Sequence, residues 1–230
     1  MRLDKFICES TELTRSEAKS AIRRGLISNQ AGVLRSGSYK IVAADIIQFK
    51  GQVITTRGFR YIMLNKPKGY ISSNVDEQMP SLLNLIDIEK KQNVFIAGRL
   101  DADTTGLILI TDDGQWSHQV TSPRKKCEKR YRISLQDPIS EDAVALFAEG
   151  IQLKSEPTPC LPAKLEVLSE TEVLLTISEG KYHQVKRMFA AVGNYVTKLH
   201  REQIGNVELD LELGLGESRF LTEQEVNGFK

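Results

Sequence analysis

The chain has 230 residues, of which 40% are hydrophobic and 27% are charged, and its formal net charge is +1. This length is enough for one core of ordinary size together with a small accessory domain. No run approaches the roughly 18 apolar residues of a membrane span, and the first residues lack the apolar core of a signal peptide, so we expect a cytoplasmic protein with no membrane partner.

The first predicted element is a short basic helix. Thr14 can cap its start and Glu17, three positions later, completes a capping box, while Gly25 offers a stop. Three cations recur every four residues and form a basic stripe, which comprises Arg15, Lys19 and Arg23. Such a stripe can lie along a phosphate backbone, although an ordinary solvated helix face has the same pattern.

Short β-like runs follow this helix and complete a small N-terminal domain. They are residues 26–28, 33–34 and 41–49. Residues 1–60 hold 11 Lys and Arg against 5 Asp and Glu, whereas residues 202–230 hold 2 against 7. We therefore predict a basic, polyanion-binding domain at residues 1–58 and a larger domain at residues 59–230.

The larger domain mixes strands and helices without a regular alternation. Its predicted strands are residues 61–64, 95–96, 107–111, 131–135, 165–168 and 173–178. Its predicted helices are residues 81–86, 115–120, 141–150 and 183–192. Because several strands follow one another directly, we predict an α+β fold whose mixed sheet is largely antiparallel and flanked by helices.

The most informative segment is a polar loop that runs directly into a buried strand. It reads Gly-Arg-Leu-Asp-Ala-Asp-Thr-Thr-Gly over residues 98–106, and an apolar strand follows at residues 107–110. A polar loop delivered onto a buried strand is a rigid place to hold a reactive carboxylate, and Asp101 is the candidate. Considered alone, the motif is explained equally well by carboxylates that cap turns.

A metal site is a weaker interpretation of the same loop. Asp101, Asp103 and Asp112 fall at positions 1, 3 and 12 of an EF-hand-like calcium loop, but a strand replaces its second half and position 12 lacks glutamate. The three cysteines are Cys8, Cys127 and Cys160. They include no Cys-x-x-Cys pair and the histidines are scattered, so we expect neither a bound metal nor a disulfide framework.

Three motifs in this order resemble the signature of the pseudouridine synthases. The first is GRLDADTTGLILITDDG, the second is Lys-Arg-Tyr-Arg-Ile at residues 129–133, and the third is Glu-Gly-Lys-Tyr-His-Gln-Val-Lys-Arg-Met at residues 179–188. The Asn-Lys-Pro-Lys-Gly segment at residues 65–69 is similar to a further landmark of that family. The resemblance implies an enzyme that isomerises uridine in RNA to pseudouridine without a cofactor.

The resemblance also implies roles for individual residues. Asp101 is expected to be the catalytic carboxylate, Arg99 to steady or replace the extracted nucleotide, and Tyr131 to pack against the extracted base. The cation that pairs with the catalytic carboxylate maps onto Lys186, with Arg187 as the alternative. Without the family, Tyr131 would be interpreted as a core or interface aromatic and the two cations as solvated helix residues.

The likeness extends to both predicted domains. The N-terminal domain resembles the S4 RNA-binding domain, and residues 115–123 and 182–189 are most similar to the branch that modifies small-subunit (16S) ribosomal RNA. The resemblance thereby implies ribosomal RNA or a ribosome assembly intermediate as the partner, with uridine 516 of 16S RNA as the target. A pseudouridine synthase that acts on 23S RNA is the alternative, and we expect a monomer.

A run of cations beside the second motif is a predicted RNA contact. It comprises Arg124, Lys125, Lys126, Lys129, Arg130 and Arg132. Extruding a stacked uridine costs free energy that such contacts would offset, although a solvated surface segment has the same composition. Two other classes of function stay open, namely a catalytically silent RNA-binding assembly factor and a metal-dependent nuclease that uses Asp101 and Asp103.

Overall fold

The structure is a computed structural model that describes residues 1–56 and 58–229. Contacts within the chain divide it into two compact units, Met1–Phe59 and Arg60–Lys230. Among the described residues, no helix combines the length and the apolar character needed to cross a membrane.

The first unit packs two helices on a small antiparallel sheet. Its helices are α1 (Leu3–Ser10) and α2 (Arg15–Arg23). Its strands are β1 (Ile27–Asn29), β2 (Gly32–Val33), β3 (Gln48–Phe49) and β4 (Gln52–Val53), in the order β2-β1-β3-β4. A small apolar cluster joins the helices to the sheet, and Leu3, Ile7 and Ile27 at its centre have no exposed surface.

The predicted helix of the first unit is confirmed, including its capping box. The Thr14 hydroxyl accepts a hydrogen bond from the Glu17 amide, and the Glu17 carboxylate accepts one from the Thr14 amide. The prediction of one strand over residues 41–49 is wrong, because only Gln48–Phe49 is paired. An internal hydrogen bond explains part of this difference, since the Asp45 carboxylate accepts from the Val42 amide and closes a turn there.

The second unit is built on one large mixed sheet. Its strands are β5 (Tyr61–Lys66), β6 (Phe95–Ala97), β7 (Thr105–Thr111), β8 (Lys129–Leu135), β9 (Lys164–Val167), β10 (Glu172–Ile177), β11 (Val196–Ile204), β12 (Val207–Glu208) and β13 (Ser218–Phe220). Its helices are α3 (Gly114–Thr121), α4 (Ala143–Glu149), α5 (Gln184–Ala191) and α6 (Glu223–Asn227). The predicted α+β fold is confirmed, since β7 and β11 run parallel while the other pairs are antiparallel.

Strand order in the sheet explains where a functional loop can emerge. The strands follow the order β13-β5-β7-β11-β8-β10-β9, with β6 and β12 attached to β7 and β11. One edge of β7 pairs with β5, and the other edge pairs with β6 along its second half and with β11 at its start. The connection from β6 to β7, residues 98–104, therefore leaves the sheet at the point where the strand paired with this edge of β7 changes from β6 to β11.

Gly106 permits β11 to pair closely with the start of β7. It has a φ of +105°, and a Cβ atom there would lie 2.3 Å from the carbonyl oxygen of Arg201. The backbone of β11 therefore approaches β7 more closely than any side chain at position 106 would allow. The last glycine of the polar loop is thus required by packing.

The sheet is covered on both faces at its centre. Ile62, Ile108 and Ile110 belong to one apolar cluster, whereas Met63 and Leu109 alternate with them and belong to a second. Strands buried on both faces carry continuous apolar runs, which is why β5 and β7 were predictable from the sequence.

Several elements of the second unit were predicted imperfectly. The six predicted strands and three of the four predicted helices are present, but residues 81–86 form a 3₁₀ turn at Leu82–Leu85. The sequence predicts no helix or strand beyond residue 192, where the structure has β11, β12, β13 and α6. Central strand β11 escaped notice because Arg201 occupies one of its buried positions and interrupts the apolar alternation.

Candidate active site

A cleft of about 670 Å³ opens beside the connection from β6 to β7. Segments that are distant in sequence line it. They include the polar loop at residues 97–102, the start of β8 with Lys129 and Tyr131, the turn at residues 177–186, Arg201 on β11, residues 71–73 and the end of α3. The cleft thus gathers all three motifs singled out in the sequence, together with one strand that was not predicted.

A buried lysine fixes the backbone of the polar loop through hydrogen bonds. Lys66, at the end of β5, has no exposed surface, and its ammonium donates to the carbonyl oxygens of Asp101 and Thr104 at 3.0 and 2.9 Å. It also donates to the carbonyls of Pro67 and Ala102. Burial lowers the pKa of Lys66 to about 8, and these carbonyl oxygens compensate part of the cost of burying the charge.

The carboxylate of Asp101 lies in the cleft between two basic side chains. Its Oδ2 is 3.2 Å from Nζ of Lys186, and its Oδ1 is 3.4 Å from Nε2 of His183. The side chain is 30% exposed, so it is accessible to a ligand while remaining fixed by neighbours. An accessible carboxylate that is held in place can act as a base or a nucleophile.

Lys186 connects both carboxylates of the loop. It donates to Oδ1 of Asp103 at 2.6 Å in addition to its contact with Asp101. Burial acts to lower the pKa of Lys186, but the hydrogen bond that it donates to Asp103 and the charge of Asp101 outweigh burial and raise this pKa. Partial burial acts to raise the pKa of Asp103, but the hydrogen bond from Lys186 outweighs burial and lowers this pKa. The ammonium is therefore charged at neutral pH.

Arg187 points away from Asp101. Its Nη1 donates to Glu156 at 2.9 Å, and its Nη2 donates to the carbonyl of Lys154 at 2.7 Å. Among the described residues, the lysine of the third motif contacts Asp101 and the arginine does not. The sequence left this choice open because adjacent residues on a helix differ in direction by about 100°, which only the helix placement resolves.

His183 introduces α5 in an unusual backbone conformation. It has a φ of +47°, in the left-handed region, and its ring stacks on that of Tyr182 with centroids 3.8 Å apart. The neighbouring Gln184 is buried and its amide donates to Glu179 at 2.9 Å, which ties the turn together. Strained residues of this kind persist where the surroundings hold them, frequently at functional sites.

Tyr131 forms part of the cleft wall opposite a buried arginine. The Tyr131 residue is 7% exposed, and its hydroxyl oxygen lies 3.4 Å from Nη1 of Arg201. The guanidinium carbon of Arg201 is 5.9 Å from the centre of the tyrosine ring. The aromatic ring is therefore fixed, and a flat ligand in the cleft can contact it.

Strand β8 sorts its basic residues onto two faces. Lys129 and Tyr131 line the cleft, whereas Arg130 lies on the opposite face and pairs with Glu202 and Glu208 at 3.7 and 3.3 Å. The sequence predicts Lys129, Arg130 and Arg132 as parts of one RNA-binding run. The alternation of the strand separates Lys129 from the two arginines, and Arg132 pairs with Glu172 and Glu202. The ion pairs of Arg130 and Arg132 provide no support for their predicted RNA roles.

The other predicted RNA-binding cations are exposed. Arg99 lines the cleft, and Arg124, Lys125 and Lys126 follow Pro123 at its margin. In the first unit, the stripe Arg15, Lys19 and Arg23 lies on the exposed side of α2. All are placed where they can meet a polyanion, and their RNA contacts stay predictions.

Both loop carboxylates, Asp101 and Asp103, contact the ammonium of Lys186. Among the described residues, no three His, Cys, Asp or Glu side chains come together in a group that could hold a metal ion. Asp103 instead pairs with Lys186, and Thr105–Thr111 is a strand where a calcium loop would continue.

Three residues of the site were missed in the sequence. Lys66 stands in a motif that was noted without a role, and His183 stands in the quoted Tyr-His-Gln motif. A lysine directly before a proline at the end of an apolar strand was the available signal for Lys66. Arg201 had no signal, since one arginine among the polar residues of β11 is indistinguishable from a solvated one.

Known proteins are similar to this chain in sequence and in structure. A family model described as RNA pseudouridylate synthase matches residues 60–191. The chain is 54% identical to the ribosomal small subunit pseudouridine synthase A of Vibrio cholerae over 226 residues, which is 98% of each chain, and 48% identical to the protein of that name in Escherichia coli, with equal coverage. A solved structure described as pseudouridylate synthase is 49% identical, with a TM-score of 0.73 over all of both chains.

Proposed function

The chain belongs to the RNA pseudouridylate synthase family, and from that premise we propose that it isomerises one uridine of small-subunit ribosomal RNA, with Asp101 as the catalytic carboxylate. The relatives named above supply the substrate class, since their names specify the small ribosomal subunit. The finer assignment, uridine 516 of 16S RNA, derives from the sequence resemblance.

One observation carries the proposal for Asp101. Its carboxylate lies in the cleft within 3.2 Å of a charged lysine, and an aromatic ring and a buried arginine line the same cleft. A ring-sized ligand fits a cavity of about 670 Å³ with space for the attached sugar. A structural carboxylate needs no such accessible cavity beside it.

The reaction has simple demands. The N1–C1′ bond of uridine breaks, the uracil turns, and a C5–C1′ bond forms, while C5 loses a proton and N1 gains one. Atoms and electrons balance without any redox partner. The protein must therefore supply a base or nucleophile, hold the detached ring and exclude water, which are tasks for Asp101, Tyr131 and the cleft walls.

The target must leave the RNA stack to reach Asp101. An extruded nucleotide places its base deepest in the pocket while its phosphates stay near the mouth. Exposed cations at the cleft margin, Arg99 and residues 124–126, fit the phosphates on either side. Tyr131, deeper in the cleft, fits the face of the base.

The direct test is to map the product. The purified protein is incubated, in the presence of a chelator, with transcribed 16S and 23S RNA, and pseudouridine is located by carbodiimide modification and primer extension. We expect one new site, at uridine 516 of the 16S transcript. A site found only in 23S RNA would replace the proposed substrate with the alternative.

The same experiment tests the other functional classes. An RNA-binding assembly factor would bind the transcript and leave every uridine unchanged, even in assembling subunits. A nuclease would shorten the RNA, and a metal-dependent one would stop in chelator. Full-length RNA that carries pseudouridine contradicts both.

A further inference from the structure

The floor of the cleft holds buried positive charge that no carboxylate of the described residues neutralises. Arg201 is 2% exposed and its Nε donates to the carbonyl of Leu107 at 2.8 Å. Its Nη2 is also buried and has no hydrogen-bond partner among the described residues. An unsatisfied donor on a buried cation is costly, so it is retained where something else satisfies it.

Lys129 adds a second cation to the same floor. Its ammonium donates to the carbonyl of Cys127 at 2.6 Å, and its side chain lines the cleft. Burial lowers the pKa of Lys129, and the charge of Arg201 lowers it further. Neither cation forms an ion pair with a carboxylate among the described residues, whereas Asp101 and Asp103 are already paired with Lys186.

The register of the sheet puts both cations beside the tyrosine. Lys129 and Tyr131 are two residues apart on β8 and therefore share a face. Arg201 is directly opposite Tyr131 on β11. A base that packs on the Tyr131 ring thus lies within reach of both positive charges.

We propose that Arg201 and Lys129 stabilise the negative charge that develops on the uracil ring as it detaches from the ribose. When the N1–C1′ bond breaks, its electron pair stays with the base and spreads over N1, O2 and O4. The new C5–C1′ bond then returns a pair to C1′, C5 releases its proton and N1 takes one up. This inference rests on the proposed function and extends it to two further residues that contact the reacting group.

The base fits this floor better than a phosphate does. The guanidinium is buried beside Tyr131 at the inner wall, where the extruded base lies, whereas the phosphates stay at the mouth with exposed cations. Fixed cations in a site that excludes water are most effective where charge appears only during the reaction.

The test compares Lys129→Met with Lys129→Arg, because Lys129 makes one hydrogen bond and its replacement disturbs the fold least. Arg132→Met is the matched control, since it removes a positive charge two positions beyond Arg130 on the outer face, where Arg132 pairs with Glu172 and Glu202. Arg201→Lys is made in parallel. Folding is checked by circular dichroism and thermal melting, and the Kd for RNA is measured across a salt series.

The rate is measured in a single turnover with saturating enzyme, on the target RNA labelled with tritium at C5. We expect Lys129→Met to lose about 100-fold in rate, a typical effect of removing one fixed electrostatic group. Its Kd and its salt slope should stay at the wild-type values, because this inference assigns Lys129 to the base and not, as the sequence predicted, to the RNA backbone. Lys129→Arg keeps the positive charge and should restore most of the rate lost in Lys129→Met, whereas the outer-face control Arg132→Met should react at a rate close to wild type.

A second substrate separates the base from the sugar. RNA with 5-fluorouridine at the target carries a base that bears negative charge more readily, and its consumption is followed in nuclease digests. For Lys129→Met and for Arg201→Lys, the ratio of the wild-type rate to the variant rate should be several-fold smaller with this RNA than with RNA that carries uridine at the target. Equal ratios for both bases, or a weaker Kd with a shallower salt slope and an unchanged rate, would overturn the inference.

These outcomes are distinguishable from failure of the proposed function. If the wild-type protein forms no pseudouridine, the proposed function itself fails. If the wild-type protein is active and Lys129→Met is equally fast, the proposed function stands and only the role of the cationic floor is lost. If Arg201→Lys does not fold, the Lys129 pair decides the question alone.

Discussion

Two charged clusters of the second unit differ in how completely their charges are paired. In the cluster around Arg219, the guanidinium contacts Asp210 at 2.6 Å and Glu225 at 2.8 Å, and Glu225 also caps α6 through the Thr222 amide. In the cleft, Lys129 and Arg201 lack carboxylate partners among the described residues. Paired charge connects β13 to α6, whereas unpaired charge and an accessible carboxylate are available to a substrate.

Among the substitutions that test this difference between the clusters, the largest loss of activity is expected at Asp101. Asp101→Asn should keep the shape of the site and remove its negative charge, so pseudouridine formation should fall about 10⁴-fold or more, as for the loss of other essential catalytic groups. Tritium release from C5-labelled RNA measures this loss. The affinity for RNA should change little, because a neutral amide at this place repels phosphate no more than the carboxylate does.

Asp103→Asn is the matched control for Asp101→Asn. Asp103 shares the Lys186 contact but its side chain is 67% exposed, so we expect a loss of only about tenfold, from a less well fixed cation. Turnover by Asp101→Asn near the wild-type rate would remove Asp101 from the reaction.

The next effect concerns the two cations of α5. Lys186→Met should lower kcat about 100-fold, because Asp101 loses the charge that holds and orients it. Arg187→Met should lower thermal stability more than kcat, because Arg187 joins Glu156 to the backbone at residues 154 and 182. A larger loss of kcat in Arg187→Met than in Lys186→Met would contradict this assignment.

A smaller effect is expected where a buried charge has only structural partners. Lys66→Met leaves four carbonyl oxygens without their donor and should reduce the free energy of unfolding by about 2–4 kcal/mol, as measured by urea denaturation. Activity should fall with it, since three of those carbonyls belong to the loop that carries Asp101. The exposed Lys68 is the control, and Lys68→Met should change stability by less than about 0.5 kcal/mol.

The smallest effect is expected in the paired cluster. The hydrogen bonds from Arg219 hold the pKa of Glu225 at about 2, below its ordinary value of 4.5. A lowered carboxyl pKa stabilises the fold above pH 4.5, and this contribution disappears as the pH falls from 4.5 to 2. Arg219→Met should therefore cost about 1 kcal/mol at pH 7, less than the number of contacts suggests because solvent screens partly exposed pairs.

Acid unfolding of the wild type and Arg219→Met measures that difference. The two stability curves should converge between pH 4.5 and pH 2. Pseudouridine formation at pH 7 should be unaffected, because the cluster does not line the cleft. A variant that is fully stable but inactive would place Arg219 with the cleft residues and break the distinction between the two clusters.

The sequence alone determined the elements whose local signals agree. Three features were predictable because each depends on neighbours within a few residues. They are the capping box of α2, the strands β5 and β7 that are buried on both faces, and the polar loop that precedes β7. The family resemblance then located Asp101, Tyr131 and Lys186 in the motifs, and the structure brings these residues to one cleft.

Tertiary structure decided what depends on distant partners. Which cation of α5 meets Asp101 depends on the placement of the helix, and which cations of β8 face the cleft depends on the register with β11. Arg201 is part of the site only because Gly106 lets β11 approach β7 closely. Its role was invisible in the sequence, since a charged residue becomes functional or structural through burial and pairing, and both are set by segments about a hundred residues away.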